Sequence, residues 1–469
     1  MNLTEADIRT IVENTVKSVL TGGNATKTGD GGWLCDTAEE AIASAKAAQQ
    51  ELMLLSLEKR GQLIDAMRKA AMENVRYLSE LANKETGYGK VEDKVLKNKL
   101  AIEKTPGIED LEAQAFTGDY GLTLVERAPF GVVGAITPST NPTSTVINNS
   151  ISIIAAGNAV VFNPHPAAKK ASSEAMRILN EAIAAAGGPK ALICTVKEPT
   201  LESGKTIMEH RDIPLLAITG GEAVVHVAMK TGKKVIAAGP GNPPVIVDDT
   251  ADIAKAAKDI VDGASFDNNV LCIAEKEVIA FKTIAEPLMS EMQKHGAYRI
   301  YGDDIDKVIK TVLINKDGRY SINRNYVGRD ATVILKDSGV AFSGNPRLVI
   351  ADVEENHPFV TTEMLMPVLP IVKIEEDIEL AIRKAIKAEN NCHHTAMMHS
   401  QNVSNLSMAA RALNTTIFVK NAPSYAGLGF NGEGFTTLTI ATPTGEGLTS
   451  ARSFTRIRRC VLYGNFRIV

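Results

Sequence analysis

From residue 132 onward the chain repeatedly sets a short apolar run against a helical stretch, and this alternation restricts the fold more than any other feature. Val132–Thr137, Ala159–Asn163, Leu192–Val196, Leu215–Thr219 and Lys234–Ala238 are runs of strand length. Between them lie stretches of helical periodicity, such as the one that puts Met176, Leu179 and Ile183 on one face. Near-continuous apolar runs joined by helical crossovers predict buried parallel strands with helices packed on the sheet. A second alternation begins near Pro244, with Val245–Val247, Val278–Phe281, Thr332–Leu335, Leu348–Val353, Val368–Ile374 and Thr416–Val419 as its runs. The expected architecture is α/β: two α/β domains, spanning 36–240 and 241–450, plus a strand extension.

The flanks are of a different kind. Asp36 to about Leu111 reads as helical, with Leu63, Met67 and Leu78 in long periodic segments. Residues 118–127 read as an exposed strand inserted in the first domain, and 451–469 as a terminal strand centred on Cys460–Tyr463. Both suit assembly into a homodimer or homotetramer. At the other end, residues 1–20 place Ile8, Val12, Val16 and Val19 at helical spacing, with Ile11 and Leu20 widening the stripe. Residues 21–35 follow as a flexible linker, with five glycines between Thr21 and Gly32. Such a tethered helix either packs locally or docks its apolar face on a partner.

Bulk properties exclude several classes. A formal charge of -4 argues against a nucleic-acid surface, and no apolar stretch is long enough to predict a membrane span. The five cysteines are scattered, without metal-ligand pairing, and nothing resembles a secretory leader. A reducing cytoplasm, free thiols and no metal site are therefore expected.

One of those thiols stands out. Cys272 ends the turn Phe266-Asp267-Asn268-Asn269-Val270-Leu271-Cys272, between an Ala/Gly-rich helical stretch and the run Val278–Phe281. A lone cysteine is most often a small buried hydrophobe, so its meaning depends on companions. Asn141, set between Pro138 and Pro142 after the run ending at Thr137, can hold an amide N–H toward a developing oxyanion, although asparagine is also a common turn residue. Gly220 and Gly221 follow an apolar strand and open a helix, which lets a phosphate approach the backbone; alone, the pair is equally an ordinary tight turn. Asn163-Pro164-His165 ends another strand and could line the same cleft or simply stiffen a turn. Glu363 precedes the run at Val368 and reads locally as a surface helix carboxylate. Arg452, Arg456, Arg458 and Arg459 read as a subunit-interface strip. His393 and His394 are base candidates by residue type only.

Taken together, Thr137–Pro142, Asn163–Pro166, Phe266–Lys276, Pro423–Gly429 and Pro443–Gly447 resemble the aldehyde dehydrogenase superfamily, and within it the CoA-acylating acetaldehyde and propionaldehyde dehydrogenases. The resemblance runs from Trp33 to the C-terminus and implies an aldehyde dehydrogenase-like fold with a cofactor-binding and a catalytic domain. It implies Cys272 as nucleophile, Asn141 as oxyanion amide, Gly220 and Gly221 beside the cofactor pyrophosphate, and Glu363 on the nicotinamide ribose. NAD and then coenzyme A would share one cleft, with Thr137, Asn163, Pro164 and His165 at its edge. Hydrolytic members carry a general-base glutamate in a Glu-Leu-Gly-Gly stretch; Ala238 stands at its place here. Without that carboxylate an acyl-enzyme awaits a thiol rather than water. The expectation is reversible conversion of a short-chain aldehyde to acyl-CoA, against a hydrolytic dehydrogenase or an inactive scaffold as alternatives. Members with such N-terminal helices reside in bacterial microcompartments, which implies that residues 1–20 dock on a shell protein.

Overall fold

The computed structural model describes residues 32–469, so the helix expected over 1–20 and most of the linker lie outside the described residues. The linker expectation ends too late. Leu34–Cys35 is an edge strand, in parallel register with Thr195 and Val196, and Trp33 and Cys35 carbonyls accept the Thr195 and Lys197 N–H groups at 2.8 Å. Pairing with a sheet edge overrides the local glycine signal.

Four helices follow: Ala38–Leu52, Leu57–Glu73, Val75–Thr86 and Val91–Lys104. The first starts on a capping box, Thr37 with Glu40, which satisfies two otherwise unpaired backbone donors. Its alanines at 38, 41, 45 and 48 lie buried with Ile42 and Leu52 on one stripe.

The first sheet is parallel throughout. Its strands lie in the order Leu34–Cys35, Ile193–Val196, Ala159–Pro164, Val132–Thr137, Leu215–Thr219, Lys234–Ala238. From Val132–Thr137 the chain winds outward on one side, then returns to add Leu215–Thr219 on the other. The strand ends at 137 and 219 therefore flank a topological switch point, where open α/β sheets bind ligands. Helix Pro142–Ala155, which leaves that point, is buried along its whole length.

The second sheet is also parallel: Ala297–Ile300, Leu348–Asp352, Val368–Ile374, Glu277–Phe281, Pro244–Val247, Thr395–His399, Ile417–Lys420. Two of its strands, Ala297–Ile300 and Thr395–His399, escape the sequence reading: the first is short with a half-exposed Tyr298-Arg299, and the second mixes Met with polar Thr and His. One expected strand is a helix. Ala331, Ile334 and Leu335 are buried at helical spacing in Ala331–Asp337, whose N-cap is Asp330, so the run Thr332–Leu335 is one turn of a helix that leaves Val333 exposed.

A third, antiparallel sheet stands apart, built from Gln114–Gly118, Gly121–Pro129 and Thr455–Tyr463. The exposed strand expected over 118–127 is thus a hairpin, closed by the C-terminal strand. Among the described residues, no helix is long and apolar enough to cross a membrane.

Gly134 illustrates how tightly the first sheet is covered. A Cβ there would lie 2.8 Å from Ile207 Cγ2 and 3.1 Å from both Ile213 Cγ2 and Leu216 Cδ2. G134V should therefore overpack the sheet and lower stability by about 1–3 kcal/mol, read as a lower urea midpoint at unchanged m-value.

Candidate active site

The first sheet meets the site with the C-terminal ends of its strands, the second with the N-terminal ends. Thr219 and Ala238 end strands of the first, and Pro138, Asn141, Gly220 and Gly221 follow them; Cys272 precedes Glu277–Phe281 and Glu363 precedes Val368–Ile374 in the second. All of them line one cavity of about 180 Å³. Apolar side chains from Val270, Leu271, Ile273, Leu428, Leu438 and Ile440 complete its wall.

The cysteine turn has an unusual backbone. Asp267, Asn268 and Asn269 have φ of 47°, 53° and 65° in succession. Left-handed geometry costs most L-residues about 1–2 kcal/mol each, and Asn and Asp tolerate it best. Each of the three is tied down. Asp267, fully buried, accepts from Lys90 N–H at 2.7 Å and from Lys94 Nζ at 3.1 Å, and pairs with Lys97 Nζ. Asn268 donates to Gly328 O at 2.9 Å and Asp330 at 2.8 Å. Asn269 donates to Ala264 O at 2.8 Å and Glu275 O at 2.9 Å. Below the turn the buried Lys276 ammonium donates to Asn269 Oδ1 and, at 3.2 Å, to the Asn269 and Leu271 carbonyls.

Asn141 occupies the N-cap of helix Pro142–Ala155 but makes no cap hydrogen bond. Lys97 Nζ donates to its Oδ1 at 2.6 Å instead, and its Nδ2 donates to Thr140 Oγ1 at 3.2 Å. Across the cavity, Glu363 lies in the loop after the short helix Pro358–Thr361 rather than on a surface helix. Its carboxylate takes one long hydrogen bond, from Gly241 N–H at 3.5 Å.

Burial pushes the Cys272 thiol up to about 11, with Glu363 adding to the rise and Lys276 and Lys97 opposing it. Burial also raises Glu363, against the pull of Lys276 and the Gly241 N–H. Glu275, three residues beyond the cysteine, is raised to about 7 chiefly by burial. It accepts from Ser424 N–H at 2.8 Å and Ser424 Oγ at 2.7 Å, which pins the Ser424–Leu428 turn whose last residue walls the cavity.

The structure thus brings Cys272, Asn141, Gly220, Gly221 and Glu363 into one cavity. Thr137, Asn163, Pro164 and His165 sit outside its wall, at paired strand ends where Thr137 and Pro164 share register. The Asn163 amide is spent on Thr200 O and Ser203 Oγ, while His165 is exposed. His394 is buried, its ring pushed down to about 4 by desolvation and Lys276, and His393 is exposed; neither lines the cavity. Lys97 and Lys276 escaped the sequence reading because a buried ammonium is marked only by partners distant in the chain.

A partly exposed thiol, a buried amide and a Gly-Gly turn at a switch point share one cavity of this α/β protein. Comparison with known proteins sharpens the class. Residues 35–434 match the model of the aldehyde dehydrogenase family. The acetylating acetaldehyde dehydrogenase EutE of Salmonella typhimurium is 51% identical over 434 residues, 92% of each chain. A Rhodopseudomonas palustris propionaldehyde dehydrogenase, solved with CoA and an acylated cysteine, superposes with TM-score 0.90 at 46% identity, covering 93% of this chain and 99% of that one. A propionaldehyde dehydrogenase from the fucose-utilisation microcompartment of Clostridium phytofermentans gives 0.91 at 48%, again over 93% and 99%. This chain belongs to the aldehyde dehydrogenase family.

With its thiol near 11, Cys272 in the free protein gains thiolate about tenfold per pH unit below that value. Alkylation by iodoacetamide should accordingly quicken roughly 100-fold between pH 7 and 9. E363Q removes the opposing like charge, lowers the thiol pKa and should label faster than wild type at pH 8. Mass spectrometry of the Cys272 peptide reads both, and an E363Q enzyme that labels more slowly contradicts the electrostatic account.

Proposed function

We propose that this chain oxidises acetaldehyde or propionaldehyde to the corresponding acyl-CoA, with NAD+ and coenzyme A, through a thioester on Cys272. The observation that carries the reading is Ala238. It lines the same cavity as Cys272 and Asn141, where Glu363 is the only carboxylate among the described residues, so no acid side chain from the Ala238 position can activate water against an acyl-enzyme. The relatives' acylating chemistry and the small apolar cavity agree with it.

The cleft suits a nicotinamide dinucleotide. A carboxylate that accepts one long hydrogen bond among the described residues has capacity for a ribose diol, and open space lies where a Cβ of Gly221 would point. When bound, NAD+ supplies the hydride acceptor. The remaining work falls to this chain. Cys272 Sγ bonds to the carbonyl carbon as the π pair moves to oxygen, and that oxygen meets the Asn141 amide and the Cys272 N–H. Lys276 and Lys97 are the buried cations that favour ionised sulfur. Loss of hydride re-forms the carbonyl as a thioester; the CoA thiolate then attacks the same carbon, and Cys272 leaves as thiolate. One thioester replaces another, so the second half-reaction is close to neutral and the whole is reversible.

We further place the cofactor-binding part at 36–240 and the catalytic part at 241–450, with assembly into a homodimer or homotetramer through the antiparallel sheet, where Ile457, Val461, Leu462 and Tyr463 are exposed. A relative from a microcompartment and the apolar stripe of residues 1–20 support residence inside such a shell. Green fluorescent protein fused to residues 1–20 should then become punctate in cells with assembled shells; diffuse signal removes the shell-docking role.

Activity settles the main reading. NADH formation from propionaldehyde should be sustained with CoA and stop near one equivalent per site without it. A238E restores a carboxylate beside the thioester and should raise CoA-independent acid formation at least tenfold. Sustained CoA-independent turnover by the wild-type enzyme would instead support hydrolysis.

A further inference from the structure

We infer that Lys97 is the positioning residue for the oxyanion amide: it decides which end of Asn141 faces the cavity, and Asp267 of the cysteine turn holds it there. The inference rests on the function proposed above. An asparagine at a helix N-cap ordinarily turns its oxygen toward the free N–H groups of the first turn. Asn141 stands at that position, before Pro142, and makes no such bond. Its oxygen is claimed by Lys97 Nζ at 2.6 Å. An ammonium only donates, so the oxygen must face it and the NH2 must face away. One amide hydrogen goes to Thr140 Oγ1 at 3.2 Å; the other has no acceptor among the described residues and remains for a ligand in the cavity that Asn141 lines.

Lys97 is itself held from the opposite side. It is 5% exposed, on helix Val91–Lys104, and pairs with the fully buried Asp267. Asp267 begins the left-handed turn that presents Cys272. One carboxylate therefore links the nucleophile's turn to the amide that would receive the substrate oxygen. Lys94 shares Asp267 at 3.1 Å, so removal of Lys97 still leaves that carboxylate a cation.

Without Lys97, the Asn141 oxygen is free to swing onto the helix terminus and take the donor out of the cavity. The test is a double-mutant cycle on K97M, N141A and K97M/N141A. It reads the single-turnover burst of NADH with propionaldehyde and no CoA, and the aldehyde KM. Loss of an oxyanion donor is worth about 10²–10³-fold. K97M should slow the burst by about 30- to 100-fold with KM within about threefold of wild type, and the double variant should be no more than about threefold slower than N141A. K97Q, whose amide still donates to Asn141, should recover at least tenfold over K97M. Should K97M fail to fold, K97Q replaces it in the cycle, with its loss vanishing in the N141A background. Losses that multiply in the double variant, or a wild-type burst from K97M, overturn the inference while leaving the proposed function standing. A wild-type enzyme with no burst overturns both.

Discussion

A single buried carboxylate organises the centre of this protein. Asp267 is fully removed from solvent, and its partners Lys94 and Lys97 are nearly so. Burying three charges carries a desolvation penalty of several kcal/mol per ion, which is recovered only where every charge is paired and hydrogen-bonded. That condition explains the surrounding backbone. Gly89 lies so close that a Cβ there would sit 1.8 Å from Asp267 Oδ1, and Lys90 N–H completes the oxygen's partners. Helix Val91–Lys104 and the cysteine turn, about 170 residues apart in sequence, are joined by these ion pairs and by Asp93, whose carboxylate accepts the Asp267 N–H at 2.8 Å.

The two parallel sheets set where that point can act. One contributes strand C-termini around its switch point, the other strand N-termini, and the cavity lies between the two edges. Loops at strand ends are free to vary without disturbing either core, yet here they are unusually constrained. Glu275 ties the Ser424–Leu428 turn to the segment following Cys272, and Gly263 is required because any Cβ would fall about 2 Å from the Glu275 carboxylate. The cavity wall is thereby set by polar bonds beneath it, while its surface is mostly apolar around Asn141 and Glu363.

That division matters for the chemistry. Burial and Glu363 push the Cys272 thiol up, so its ionisation depends on the groups around it. The buried lysines push toward thiolate and Glu363 pushes against it. Ala238, which lines the same cavity, adds no charge to this balance.

Much of the scaffold was legible in the chain itself, since apolar runs and helical spacing dictate what must be buried. Most strands of both sheets fall within a residue or two of their apolar runs, and the run over 332–335 misled because so short a run fits a strand and a helical turn equally well. Cys272, Asn141, the Gly220-Gly221 turn and Glu363 could be named as candidates from motifs, and folding sets them around one cavity together with Ala238. What no local pattern carries is a charge inside the protein. Lys94 and Lys97 look like the solvated face of a helix, and Asp267 like a turn residue, until folding sets them against one another. Sequence determined the strands, helices and reactive side chains through burial and backbone preference; only the tertiary structure decided which lysines lose their water, because desolvation and ion pairing depend on neighbours that the chain brings together from far apart.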